Sequence, residues 1–330
     1  MLNIGIIGTG WFSKVHANIL SEIEGVRVKA VCGTSTEKAE SFALEFDGAR
    51  GYGVLEEMLE TENLDAVYVC VPPFAHGDIE MELISRGIPF FVEKPLAADL
   101  ETPGRIISAL REKPVITAVG YHFRYRDAAI KLMEELKGCQ LGMVTGYWMG
   151  SMPAVPWWRN QEKSGGQFIE QTTHLLDLLR YSAGEAEEVT AVFGNKVMHE
   201  KHENVTVSDI GSVIVKMKNG TIATLTNTCI LPDGVSAIGL DYYHDSGILK
   251  LNQEGLIKSE RDITIKWKDR DNPYIRENRA FIQAVENGDS SGILSDYHDA
   301  YQTQKVALAA LKSAETGVTV KLEDINKNIV

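Results

Sequence analysis

The sequence predicts an α/β chain: a doubly wound parallel sheet over the first third, followed by a second, α+β domain. Three observations predict it. Apolar runs alternate with helix-period segments over the first 120 residues. Those runs are continuous, as in strands covered on both faces, not alternating as in half-exposed ones. After about residue 122 the alternation stops, and from 188 to 268 the chain reads mostly as long strands.

The elements follow in order. Strands are expected over 2–7, 26–32, 66–71, 89–92 and 114–120, with helices over 11–22, 36–46, 54–60, 77–86 and 100–112 between them. Strand, helix, strand in this rhythm requires crossovers and hence parallel pairing. Next come a helix over 127–137, a strand over 143–149, a Pro- and Trp-bearing loop over 151–166 and one continuous helix over 168–181. Strands over 205–218 and 221–230 flank Asn219-Gly220, a pair that tolerates positive φ at both positions of a hairpin turn. The second of them puts Thr224, Thr226 and Thr228 on one face, to meet water or another subunit. A helix over 297–316 closes the chain. The expected division is 1–122 for a dinucleotide-binding domain and 123–330 for a substrate and assembly domain, with the last helix a candidate to pack back near the first.

Composition excludes several function classes. The chain has 330 residues and a net charge of −13, and its Lys and Arg are scattered, so no basic patch for nucleic acid or anionic lipid is expected. No apolar run approaches the roughly 20 residues that span a bilayer. Cys32, Cys70, Cys139 and Cys229 lie far apart with no metal-ligand spacing, so free thiols, no metal and a reducing cytoplasm are expected. His199 and His202 sit in a charged loop with no third ligand nearby.

Gly8-Thr9-Gly10-Trp11-Phe12-Ser13 follows a hydrophobic strand and opens a helix. The first glycine serves the tight turn and the second the approach of a pyrophosphate, which meets the free N–H groups of the helix. Ser13 stands at the third, small-residue position. This is a Rossmann-type dinucleotide site. Its second strand ends in Cys32-Gly33-Thr34-Ser35 with no carboxylate for a ribose 2′-OH, while Thr34, Ser35 and Lys38 can donate to a 2′-phosphate. NADP(H) is therefore favoured over NAD(H). The same Thr34-Ser35-Thr36 run also serves as a helix cap.

Three later segments complete a pattern: Val71-Pro72-Pro73-Phe74-Ala75-His76, Phe91-Val92-Glu93-Lys94-Pro95-Leu96, and Gly165-Gly166-Gln167-Phe168-Ile169-Glu170-Gln171-Thr172-Thr173-His174-Leu175-Leu176-Asp177. Their order after the glycine turn resembles the Gfo/Idh/MocA family along essentially the whole chain. The resemblance implies a Rossmann domain, a second domain on a large open, mostly antiparallel sheet, and dimers or tetramers formed through that sheet. It implies hydride transfer between a nicotinamide and a hydroxyl-bearing carbon of a sugar, inositol or related polyol.

By the same resemblance, Lys94 stabilises charge on the substrate oxygen and His174 exchanges its proton, with Glu170 one turn earlier binding a hydroxyl or orienting His174. Many family members carry Asp where Glu170 stands. Glu93, Val71, Pro72, Pro73, His76 and His122 join Gly8, Thr9, Gly10, Trp11, Phe12, Thr34, Ser35, Lys38 and Lys94 as cofactor candidates, with Glu93 alternatively orienting Lys94. Arg124, Trp158, Arg159 and Asp177 are substrate candidates: an aromatic plane suits a sugar ring and a guanidinium fork suits oxygens. Arg124 equally suits the nicotinamide side, the Trp158-Arg159 segment a packed lid or subunit contact, and Asp177 a partner of His174 or a structural helix position. Two other readings remain at this point: a glycosidase that recycles bound NAD through transient oxidation, and a non-catalytic dinucleotide-binding regulator.

Overall fold

The computed structural model describes residues 1–325, and its contacts group the chain into two compact units. The first comprises Met1–Ala97, Thr102–His122 and Tyr274–Ala300; the second comprises Ala98–Glu101, Phe123–Pro273 and the described residues from Tyr301 on. A division at residue 122 thus omits a segment of the first unit that the chain supplies only after the second is nearly complete.

In the first unit, β1 (Leu2–Ile7), α1 (Trp11–Ser21), β2 (Val26–Cys32), α2 (Thr36–Ala43), β3 (Arg50–Tyr52), α3 (Leu55–Thr61), β4 (Ala66–Val69), α4 (Asp78–Arg86), β5 (Phe90–Val92), α5 (Glu101–Glu112) and β6 (Thr117–Val119) follow one another. The strands form one parallel sheet in the order β3-β2-β1-β4-β5-β6, the doubly wound order of dinucleotide-binding folds. β4 and β5 are buried at every position, which explains their unbroken apolar sequence. A helix absent from the sequence reading, Pro273–Asn287, contributes Phe281 and Ile282 to the core formed by Ile4, Ile6, Leu20 and Tyr68.

The second unit is built on a nine-stranded sheet. Its strands are β7 (Leu141–Met149), β8 (Ala186–Gly194), β9 (Ile210–Met217), β10 (Ile222–Thr228), β11 (Ala237–His244), β12 (Gly247–Asn252), β13 (Gly255–Glu260), β14 (Ile263–Lys268) and β15 (Val320–Lys321). They lie in the order β14-β13-β12-β11-β7-β10-β9-β8-β15, and only β7 and β10 pair in parallel. The inner face, with Val144, Val213, Ala223, Leu225 and Leu240, packs on the helix Thr173–Ala183. The other face presents Met143, Ile214 and Ile222 beside Thr224, Thr226 and Thr228.

One local expectation is corrected, and the hairpin expected at Asn219-Gly220 is found between β9 and β10. The helix read as continuous over 168–181 is two pieces, Gln167–Glu170 and Thr173–Ala183. The Thr172 amide binds the Gln167 carbonyl at 3.0 Å, five residues back, and the Gln167 side chain is anchored to Asn227 and the Thr228 carbonyl. The helix therefore restarts, and Glu170 and His174 do not share one unbroken helical face. At the hairpin, only Gly220 has positive φ, at 91°. Asn219 acts through its amide instead, accepting from the Thr221 N–H and donating to the Ala183 carbonyl.

Candidate active site

The glycine turn begins where β1 ends, with the Gly8 N–H held by the Cys32 carbonyl at 2.8 Å. Gly8 has φ of 106°, and a Cβ there would lie 2.2 Å from the Cys70 carbonyl oxygen, so the turn accepts only glycine. Gly10 differs. Its φ is −85°, and a Cβ there would meet nothing within 4 Å. Neither backbone nor packing requires glycine at this position; open space remains at the start of α1, where no side chain caps the first N–H groups. That is the cradle a diphosphate needs, so the residues fit the coenzyme. Ser13 is fully buried, with its hydroxyl 3.0 Å from where a Gly8 Cβ would be, so its small size is used as expected.

Beyond β2, Ser35 caps α2 by accepting from the Lys38 amide, and the Lys38 ammonium lies 3.3 Å from the Thr34 hydroxyl. The cap and a cluster of exposed donors coexist there. After β4, Val71-Pro72 runs into a single 3₁₀ turn, Pro73–Ala75. His76 then contacts Glu80 through Nδ1, and Glu80 also accepts from the Gly77 amide. His76 Nε2 is buried with no hydrogen-bond partner among the described residues, leaving one ring nitrogen for a ligand.

Lys94 follows β5 at the carboxyl end of the parallel sheet, where such folds bind ligands. It is 9% exposed, and its Nζ lies 5.9 Å from the centre of the Phe12 ring, on the first turn of α1. The Lys94–Pro95 peptide is cis. Of the two readings of Glu93, the side chain does not face outward to a cofactor but turns inward: Oε1 is 2.9 Å from His16 Nε2, and Oε2 accepts from the Lys94 backbone amide. His122 stacks on Tyr274, ring centres 4.1 Å apart. Burial, followed by the charges of Glu93 and Glu277, pushes the Tyr274 phenol far above its usual value.

In the second unit, His174 begins the helix Thr173–Ala183 and is buried. Its imidazole stacks against Phe123 at 5.0 Å and Trp148 at 5.9 Å. Glu170 accepts from the Trp158 indole N–H at 2.9 Å. Trp158 is itself buried among Met152, Met198, Val207 and Cys229, so its ring plane is taken by the interior and does not form an open sugar platform. Next to it, Arg159 is half-buried, and its Nε has no hydrogen-bond partner among the described residues. Arg124 and Asp177 do not take the substrate-facing alternative but face each other, which agrees with the structural reading of Asp177. Nε and Nη2 of the arginine meet the two carboxylate oxygens at 2.7 and 2.6 Å, with side chains 3% and 0% exposed. The pair is part of the interior of this unit.

Sequence reasoning missed His16, Tyr274, Glu277 and Asn278, which collect beneath Glu93. His16 occupies the buried stripe of α1 with Ala17 and Leu20, a readable sign that its ring points inward. All four cysteines are free, and burial raises the thiols of Cys32 and Cys229 to about 11 and about 12. No helix among the described residues is long and apolar enough to cross a membrane.

Residues 2–121 match the Gfo/Idh/MocA oxidoreductase family with NAD-binding Rossmann fold, and residues 131–240 match its C-terminal domain. The chain is 24% identical to a myo-inositol 2-dehydrogenase from Thermotoga maritima, over 98% of this chain and 99% of that one. It is 26% identical to a scyllo-inositol 2-dehydrogenase (NAD(+)) from Bacillus subtilis, over 96% and 95% of the two chains. The crystal structure of GenD2 from gentamicin A biosynthesis, in complex with NAD, superposes with a TM-score of 0.82 at 22% identity, over 97% of this chain and 96% of that one.

Proposed function

Because the chain belongs to the Gfo/Idh/MocA family of oxidoreductases, we propose that it moves hydride between NADP(H) and a hydroxyl-bearing carbon of a polyol, inositol or related sugar. One observation carries the reading: the Lys94 ammonium stands 5.9 Å from Phe12, on the same helix turn that Gly10 leaves open for a diphosphate. The whole-length likeness to two inositol 2-dehydrogenases supports the substrate class. The nicotinamide supplies the hydride acceptor or donor.

Lys94 donates to the substrate oxygen and stabilises the negative charge that develops on it. His174 takes the hydroxyl proton in oxidation and returns it in reduction, its ring held in plane by Phe123 and Trp148. Glu170, tied to Trp158, binds a substrate hydroxyl, and the Arg159 guanidinium supplies donors to substrate oxygens. His76 and the Pro72-Pro73 turn would hold the coenzyme on its ribose side. Thr34, Ser35 and Lys38 hold the 2′-phosphate, and NAD(H) binds more weakly. The sheet face bearing Met143, Ile214, Ile222 and the three threonines joins copies of the chain into a homodimer or homotetramer; light scattering on the purified chain tests this.

The decisive test screens inositols, other polyols and sugars with NAD and NADP in parallel, following absorbance of the reduced nicotinamide. His174→Ala is expected to lower turnover by about 10²-fold or more while leaving coenzyme affinity unchanged. Undiminished turnover would remove His174 from the mechanism. Product formation without net coenzyme reduction would favour the self-recycling glycosidase. Coenzyme binding with no turnover of any compound would favour a regulator.

A further inference from the structure

The first unit encloses a carboxyl group that the proposed hydride transfer does not use. Glu277 lies on the helix Pro273–Asn287 and is 1% exposed. Both of its carboxyl oxygens are buried and lack a hydrogen-bond partner among the described residues. Ionisable groups face it from every side. His16 of α1 and Glu93 at the end of β5 place ligand-type atoms within 4.8 Å of it and of each other. Cys70 lies beyond β4, and Tyr274 stands one turn earlier on the same helix; both lie within electrostatic reach of its carboxyl group. His16 is held on both ring nitrogens, by Glu93 at 2.9 Å and by the Asn278 side-chain amide. Glu93 has little freedom to retreat, because a single carbon added at Gly120 would already lie 2.8 Å from its Oε1.

Two carboxyl groups this close, in so dry a setting, do not both ionise. An ionised Glu277 without a donor would be the most costly state of the cluster. A neutral Glu277 is itself a donor, and the carboxylate beside it is an acceptor. Burial, followed by the charge on Glu93, raises its pKa well above the usual carboxylic value.

We propose that Glu277 is a positioning residue: it keeps its proton and shares it with Glu93, fixing Glu93 between His16 and the Lys94 backbone amide. The Lys94 segment is thereby tied to the helix that opens at the glycine turn. Glu93 accepts from Glu277 as it does from the Lys94 amide, and the Lys94 side chain is oriented from below. This rests on the proposed role of Lys94.

Infrared spectroscopy of the full-length chain tests it. The spectrum should contain a protonated-carboxyl band at neutral pH that Glu277→Gln removes. In Glu93→Gln the neighbouring charge is gone, and the band should titrate away at lower pH than in the parent. NMR of the chain carrying ¹³C-dimethylated lysines, with Lys94 assigned by its absence in Lys94→Arg, reads the positioning. Glu277→Gln should leave that signal in place, and Glu277→Ala should shift it. If the alanine variant fails to fold, the parent and glutamine spectra still decide the matter. Absence of the band, an unchanged midpoint in Glu93→Gln, or a stoichiometric divalent metal that Glu277→Gln releases would each overturn the proposal. The outcomes separate from those for the reaction: turnover surviving Lys94→Ala would refute the role of Lys94 and leave the band untouched.

Discussion

Asp177→Asn separates an internal ion pair from a substrate contact. In the parent, two N–H groups of Arg124 point at the two Asp177 oxygens at 2.7 and 2.6 Å, and the Thr303 hydroxyl donates to one of them at 2.9 Å. Asparagine has nearly the same shape but turns one acceptor into a donor. An N–H then faces an N–H at hydrogen-bond distance, and the guanidinium stays buried without its counter-charge. Breaking a buried pair in this way costs about 3–5 kcal/mol. For a unit of this size, that lowers the thermal midpoint by roughly 6–20 °C. Scanning calorimetry and urea titration, with coenzyme affinity as control, read the effect. Arg124→Leu/Asp177→Leu removes both charges and should recover a large part of the loss, since it leaves no buried charge alone. A loss under about 1 kcal/mol, or a double variant no better than the single one, would refute the argument and return Asp177 to the substrate-contact role.

Three further outcomes follow from the same geometry. Gly8→Ala forces a Cβ to 2.2 Å from a backbone carbonyl and should destabilise the first unit, whereas Gly10→Ala meets nothing and should keep its stability while weakening coenzyme binding about tenfold or more; melting curves and fluorescence titration distinguish them. Thr34→Asp puts a carboxylate at the end of β2 and should shift selectivity toward NAD by about tenfold in kcat/KM; an unchanged ratio would detach this position from coenzyme choice. Glu277, raised in the folded state, binds its proton where the unfolded chain has lost it, so its contribution to stability is full below the unfolded value and declines as pH rises toward the folded one. The slope is about 1.4 kcal/mol per pH unit at most, and Glu277→Gln should flatten the stability curve above pH ~5 relative to the parent.

The parallel sheet and the coenzyme turn were legible because one cause governs both. β1, β4 and β5 are covered on both faces and read as apolar runs, and Gly8 and Gly10 break a strand-to-helix junction at a fixed place. The helix Pro273–Asn287 was not legible for the opposite reason. Its inward stripe includes Glu277 and Asn278 beside Phe281 and Ile282, so a test that counts polar residues as outward loses the period. The kink before His174 escaped because its cause is remote: Gln167 is held by Asn227 and Thr228, some sixty residues later. The Arg124–Asp177 pair escaped likewise, since the partners are separated by 53 positions and either alone suits a polar substrate. Trp158 and Arg159 are adjacent in sequence, yet one is enclosed and the other keeps a guanidinium nitrogen without a partner. Adjacency said nothing about which way each would turn.

The return of Tyr274–Ala300 to the first unit has a consequence for biosynthesis. A ribosome that has released the six parallel strands has made Glu93 but not the second partner of His16, because Asn278 emerges more than 150 residues after β6 ends at Val119. The nascent dinucleotide fold therefore waits, with a polar hole beneath its lysine segment, until Tyr274–Ala300 has been made. Gene fragments ending before codon 273 should yield a sheet that chaperones recognise as unfinished, and fusion or truncation designs for this chain must keep both ends of it together.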